Sequence, residues 1–335
     1  MNMEQYKVSV IIPIYNAGPH LKKCLDSLAA QTLKELQVVL VLQKPTDGSD
    51  MVAKSYMKYN NFLIVENDAN THLGEGRNKG IEFAQGKYVG FCDHDDYCYP
   101  NMFEDLYNAC ERSKADMAIS PFIAVDANGN IMSHYSIKED VLSTYDNIFL
   151  ATIGLRKEDS KDFRALAVPK TVWNRLFKLD IIRNNNIRFI DTRTTAPEDT
   201  TFNIEYMIYA RSAAICSNDL YLHFYHDSNL GESMDYRSFD KYITGFCYWE
   251  NLLVTHGLMT NDDIRIRFYN TIRANTLIIA RINFRKKGLF FTIKKLKEIK
   301  KIQLIKDAYK DTSRITYFTG DSHKMNIISK IIKYI

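Results

Sequence analysis

The clearest chemistry in the chain lies where acids follow an apolar run. Asp93, His94, Asp95 and Asp96 come directly after residues 88–92. Carboxylates spaced i and i+2 just past a strand end can reach a hard divalent cation and the sugar beside it. A cation there would bridge and neutralise a diphosphate and stabilise it as a leaving group. The same acids also read as a helix cap with no ligand, and like charges this close are costly unless a cation or hydrogen-bond donors compensate. A second acidic pair, Glu198 and Asp199, precedes a helical run at 200–210. Acids there are favoured by the helix dipole alone, and a carboxylate such as Asp199 can also take a proton from an attacking hydroxyl. His226, closing the Phe224-Tyr225-His226 piece, reads either as a surface histidine or as a transition-metal ligand. His94, between two acids, is expected to point away from a metal.

These residues need a scaffold that brings strand ends together. The first hundred residues alternate strand and helix patterns: strands at 8–14, 37–42, 62–65 and 88–92, helices at 19–31, 50–59 and 76–84. The strands are near-continuous apolar runs, as expected when both faces are buried. Such alternation predicts right-handed crossovers and a mainly parallel sheet with helices on both faces, and these sheets bind ligands beyond the carboxyl ends of their strands. Further on, a strand is expected at 115–120, a hairpin around Asp126–Asn130, helices at 173–184 and 200–210, and a last core strand at 215–224. Residues 142–167 show no clear pattern. The polar segment 227–232 is the expected domain boundary, and beyond it the pattern is almost wholly helical.

Length and composition bound the rest. With 335 residues, 46% hydrophobic and 25% charged, the chain suits two globular domains. No stretch approaches the roughly 18 apolar residues of a membrane span. The sequence runs from Met1 into the strand at Val8 with no signal peptide, and its six cysteines form no Cys-x-x-Cys pair. Both features predict free thiols and a cytoplasmic location. The net charge of +4 conceals a split. Residues 264–335 hold 18 Lys and Arg against 4 Asp and Glu, a net of +14, and the remainder carries −10.

The joint pattern of 8–32 (VSVIIPIYNAGPHLKKCLDSLAAQT), 46–49 (TDGS), 73–96 (LGEGRNKGIEFAQGKYVGFCDHDD) and 197–199 (PED) resembles the family 2 glycosyltransferases of the GT-A fold. The resemblance covers about residues 6–230. It implies a GT-A domain at 1–230, with a nucleotide-sugar-binding half at 1–100 and an acceptor half at 101–230, followed by a basic helical region at 231–335. It implies that Pro13, Ile14 and Tyr15 line the nucleotide-base pocket, that Arg77 sits by the nucleotide and that Asp93 contacts the ribose. Asp95 would bind manganese or magnesium, with His226 as a further ligand, and Asp199 would be the general base. Relatives usually carry two acids after the second strand; here Leu42 and Gln43 stand in their place. Gln43 offers both an acceptor and a donor to a base edge. Trp173, in a recurring family piece at 173–177, reads as core packing.

The function implied is a metal-dependent inverting glycosyltransferase, of the hexosyl- or N-acetylhexosaminyl-transferase class. It would move sugar from a nucleotide sugar, with uridine as the expected nucleoside, to a hydroxyl of a glycan or lipid-linked glycan in polysaccharide assembly. The alternative is a catalytically degenerate nucleotide-sugar binder. A nucleotidyltransferase or nicotinamide enzyme would need a Gly-rich loop after the first strand, and residues 15–20 hold one glycine. In the tail, Leu289, Ile293, Leu296, Ile299 and Ile302 recur at helical spacing among lysines. That pattern predicts either a helix packed on the catalytic domain with its lysine face in solvent or a peripheral contact with an anionic membrane on the cytoplasmic face. No nucleic-acid motif accompanies the charge.

Overall fold

The computed structural model describes residues 6–67, 72–137, 144–154, 170–225 and 238–310. The chain divides into two compact units. One comprises Met1–Tyr145, Pro169–Asp191 and Glu198–Asp227; the other comprises Asp146–Val168, Thr192–Pro197 and Ser228–Ile335. Residues 146–168 and 192–197 thus join the unit of the C-terminal helices. The polar boundary segment expected at 227–232 lies outside the described residues.

The first unit is built on a seven-stranded sheet in the order β10-β6-β9-β4-β1-β2-β3. Its strands are β1 (Val8–Ile14), β2 (Leu36–Leu42), β3 (Phe62–Glu66), β4 (Tyr88–Phe91), β6 (Met117–Ile119), β9 (Arg175–Lys178) and β10 (Ala213–Ile215). A four-stranded sheet of β5 (Tyr97–Cys98), β11 (Tyr221–Phe224), β7 (Phe122–Val125) and β8 (Ile131–Tyr135) lies in the same unit. β1 pairs in parallel with β2 and β4, and β2 with β3, as the helix-separated runs predict. All seven residues of β1 are buried because both faces are covered. Val8, Val10, Ile12 and Ile14 face a core with Leu21, Leu25 and Leu28 of α1 (His20–Ala29) and Phe103 and Leu106 of α4 (Met102–Ser113). On the opposite face, Ile11 and Pro13 meet α3 (His72–Phe83). There the glycines matter: a Cβ on Gly80 would lie 2.3 Å from Ile11 Cγ2, and one on Gly76 2.7 Å from Gln43 Nε2. Only residues without a side chain let α3 settle this close to the sheet.

Two expectations need correction. Residues 173–184 are not one helix: Arg175–Lys178 is β9, antiparallel to both β4 and β6, and only Leu179–Asn184 is helical (α6). A short apolar run looks the same for either state, and the gap between β4 and β6 decides it. Nor is 215–224 one strand. β10 joins β6 in the large sheet while β11 joins β5 and β7 in the small one. The polar residues Ser217, Asn218 and Asp219 between them are the turn that the reading passed over. The hairpin at Asp126–Asn130 is present as β7–β8. All six cysteines are free thiols, five of them buried.

The second unit is mainly helical in its described parts. It includes most of α5 (Tyr145–Ile153), then α8 (Phe239–Thr255), α9 (Asp262–Ile299) and α10 (Gln303–Lys310). Asn261 caps α9, its side chain accepting from the Asp263 and Ile264 N–H groups. The carbonyls left open at the end of α5 are taken up by α9: Thr271 Oγ1 donates to Ile153 O at 2.7 Å and Arg267 Nη1 to Gly154 O at 2.9 Å. Residues 192–197 belong here because Ala196 N donates to Lys241 O and Lys241 Nζ to Thr192 O. α9 is broken at Gly288, where φ is 81° and ψ 175°. Among the described residues, no helix is long and apolar enough to cross a membrane.

Candidate active site

The site forms at the carboxyl ends of β1, β2 and β4. Sinking α3 onto the sheet buries Arg77, which is 1% exposed. Its guanidinium lies over the ring of Phe189, with the centroid 5.1 Å away, and near that of Phe91. Arg77 Nη2 donates to Asp93 Oδ1 at 2.8 Å and Nη1 to Asp199 Oδ1 at 2.5 Å. Glu198 Oε1 stands 4.0 Å from Nη1. One buried cation therefore joins the acid after β4 to the first turn of α7 (Glu198–Tyr209), two places far apart in sequence. Burial pulls the Arg77 pKa down, but Asp199, Asp93 and Glu198 outweigh it and the net shift is upward. Asp199 shifts upward too: burial raises it, with Arg77 and a hydrogen bond from the Val172 backbone opposing. Burial thus pushes the Asp199 carboxylate above the ordinary range while Arg77 holds one of its oxygens.

The expected nucleotide residues divide by exposure. Tyr15 is exposed at the end of β1, whereas Pro13 and Ile14 are buried, Ile14 within the core. Gln43 is buried, with its carboxamide against Gly76 and near Pro13. The loops after β1 and β2 are tied together. Gly18 N donates to Asp47 Oδ2, Ala17 N to Ser49 Oγ and Thr46 N to Asn16 Oδ1. Thr46, Asp47, Gly48 and Ser49 thus hold the loop that presents Tyr15. Arg77, expected beside the nucleotide, spends both terminal nitrogens on carboxylates, one of them that of Asp93.

Asp95 lies in the turn closed by Asp96 N donating to Asp93 O. Its side chain is 24% exposed, and the nearest basic atom among the described residues is His94 Nδ1 at 3.9 Å. His94 Nδ1 is buried and has no hydrogen-bond partner. No group of three His, Cys, Asp or Glu side chains is arranged to hold a metal among the described residues. An open carboxylate beside an orphaned imidazole nitrogen fits a cation whose remaining ligands are substrate phosphates and water, as magnesium and manganese sites commonly have. His226 lies outside the described residues.

His223 and Arg175 escaped the sequence reading, and Asp96 was read only as a member of the acidic cluster. Asp96 is buried and accepts from Tyr221 OH at 2.7 Å, from Phe224 N at 2.8 Å and, at 3.0 Å, pairs with His223 Nδ1. Burial pushes its pKa up to about 7, against the pull of His223. Burial pulls His223 down, but the Asp96 hydrogen bond and charge reverse this and raise it. Trp173 stacks on both Tyr221 and His223, with centroids 4.3 and 5.2 Å apart, and is buried as a packing residue. Arg175, two residues on, is also buried; desolvation lowers its pKa to about 9 while Asp199 pulls it back. The only signal for Arg175 was its place in the family-like piece at 173–177, and nothing in the sequence linked His223 to Asp96.

With this geometry in hand, the similarities are specific. The model of "Glycosyl transferase family 2" matches residues 9–177. YibD of Escherichia coli K12, an uncharacterized glycosyltransferase, is 31% identical over 225 residues, 67% of this chain and 63% of that protein. The present chain thus spans less than two thirds of YibD. The cholesterol galactosyltransferase of Borreliella burgdorferi is 26% identical over 326 residues, 92% of this chain and 87% of that one. The crystal structure of S. aureus TarS 1–349 in complex with UDP-GlcNAc matches with a TM-score of 0.58 at 18% identity, covering 91% of this chain and 89% of TarS 1–349. At that identity the likeness is one of fold, and the fold is the one expected. The family match spans half of the sequence and runs from β1 through β9; the chain belongs to glycosyl transferase family 2.

Proposed function

We propose that the protein is a metal-dependent inverting glycosyltransferase that moves a sugar from a UDP-sugar to a hydroxyl of a glycan or lipid-linked glycan. The observation that carries this is the Arg77 bridge, which sets Asp93 and Asp199 on one guanidinium. Asp199 takes the proton of the acceptor hydroxyl as its oxygen attacks the anomeric carbon. The bond from that carbon to the diphosphate breaks in the same displacement, which inverts the centre. Asp93 orients the ribose, Tyr15 lies along the base and Gln43 meets the base edge. Asp95, with His94 beside it, would hold manganese or magnesium, which supplies positive charge to the departing diphosphate. His226 remains a further candidate ligand. Arg77 is a positioning residue: it aligns the two acids and tempers the basicity of Asp199. The UDP-GlcNAc complex of TarS supports screening UDP-sugars first, and the name of the Borreliella relative supports an acceptor on a lipid. The basic C-terminal unit would hold the enzyme on an anionic membrane where such acceptors lie.

The test is a screen of nucleotide sugars for manganese-dependent binding and hydrolysis, with EDTA as the control. A UDP-sugar should bind and turn over only with the metal. Binding without turnover for every donor and acceptor tried would favour the degenerate binder, and full turnover in EDTA would remove the metal.

A further inference from the structure

The apolar side chains at the end of α9 fall into two sets. Leu296 and Ile299 are each 4% exposed and pack with Phe239, Ile279 and Ala280, with Ile302 partly buried against them. The C-terminal part of the stripe that sequence periodicity offers to a membrane is therefore spent on the unit's own core. Leu289, the first residue of that stripe, has no cover, and neither have two neighbours outside it: Phe284 is 44% exposed, Leu289 51% and Phe290 85%. These three flank the break at Gly288, where an added Cβ would meet nothing within 4 Å. Between them Arg285, Lys286 and Lys287 are exposed and make no ion pair among the described residues. Lys287 Nζ instead lies 4.7 Å from the centre of the Phe291 ring. No acid occurs from Ile264 to Lys297.

We infer that the turn at Gly288 is the part of the chain that enters an anionic phospholipid bilayer, with Phe284, Leu289 and Phe290 at the acyl boundary and Arg285, Lys286 and Lys287 on headgroup phosphates. The inference rests on the membrane-contact reading above and moves the contact from the amphipathic stripe to the turn. Apolar side chains beside a cluster of cations have the two attractions that surface-seated segments use, burial at the headgroup boundary and attraction to anionic lipid. The cations tell against the turn pairing with itself in a second copy, because a two-fold contact would set the same three charges against each other. The break at Gly288 matters mechanically: it presents Leu289 and Phe290 at a corner rather than along a straight helix.

The experiment is co-sedimentation of the full chain with phosphatidylcholine vesicles and with vesicles of phosphatidylcholine mixed with phosphatidylglycerol. The wild type should sediment with the mixed vesicles, not the neutral ones, and salt should weaken the binding. The triple variant Phe284→Ser/Leu289→Ser/Phe290→Ser should bind the mixed vesicles at least about tenfold more weakly, with an unchanged circular dichroism spectrum because all three side chains are exposed. In a separate variant, Phe290→Trp, the indole emission should shift to the blue on adding mixed vesicles. Wild-type binding with no loss in the triple variant and no blue shift would overturn the turn while leaving the membrane reading in place. Absence of wild-type binding to either vesicle would overturn both. A triple variant that loses a self-association seen by light scattering in the wild type would assign the patch to a second copy instead. UDP-sugar hydrolysis in solution is measured alongside, so that none of these results is confused with failure of the glycosyl-transfer reading.

Discussion

Arg77 and the cations at the Gly288 turn are charges of the same sign in opposite circumstances. Arg77 is buried, stacked against Phe189 and bound by two carboxylates. Arg285, Lys286 and Lys287 are exposed and have no acid near them in sequence. A charge taken out of water must be matched where it sits, so Arg77 is committed to Asp93 and Asp199. A charge left in water is matched by mobile ions and remains available to any anionic surface that displaces them. Positive charge is thus buried and paired in one unit and exposed without an ion pair in the other.

The comparison can be broken most directly by activity. Asp199→Asn keeps the shape and much of the hydrogen bonding but removes the base, so turnover should fall by about 100-fold or more while donor binding persists. Near wild-type turnover would pass the role to Glu198 or another group. Stability sharpens the contrast next. Arg77→Ala leaves two partly buried carboxylates without their buried counter-charge and should cost about 3–5 kcal/mol in denaturant unfolding. Lys286→Gln should stay within about 0.5 kcal/mol of wild type. Equal costs would mean that burial does not separate the two groups. The apolar pair repeats the contrast: Leu296→Ala should cost about 2–5 kcal/mol by opening the core, and Phe290→Ser far less.

A smaller effect concerns pH. As the proposed base, Asp199 must be ionised to act, and its pKa is raised by burial against the opposing charge of Arg77. Turnover should therefore fall, as pH drops, at a higher pH than an ordinary carboxylate near about 4 would give. Arg77→Lys keeps the charge but cannot span both acids as the guanidinium fork does, so the acidic limb should move to still higher pH. A limb that stays in place would mean that Arg77 does not act on the base. The subtlest change is Gln43→Asp, which should alter the affinity order among UDP, CDP, GDP and dTDP. An unchanged order would place Gln43 outside the base pocket.

Much of the first unit was legible because its signals are local. The runs at 8–14, 37–42 and 88–92 are apolar enough to be strands buried on both faces, and helices between them leave a parallel sheet as the simple solution. The acids after β4 could be placed at a strand end for the same reason. What could not be read depends on neighbours far away in sequence. β9 is a strand because an antiparallel slot between β4 and β6 awaits it. The stripe at Leu296 and Ile299 reads equally well as core or as membrane face until Phe239 and Ile279 are seen against it.

The sequence by itself determined the parallel core and its family, since these follow from periodicity and from short motifs in a fixed order. Tertiary structure alone decided where Arg77 goes. Gly76 and Gly80 let α3 close on β1 and β2, that closure buries the guanidinium, and the buried charge draws in Asp93 and Asp199. It also decided which apolar residues of α9 are spent on the core and which remain at the Gly288 turn. Burial and pairing are properties of an environment, and no residue carries its environment in its name.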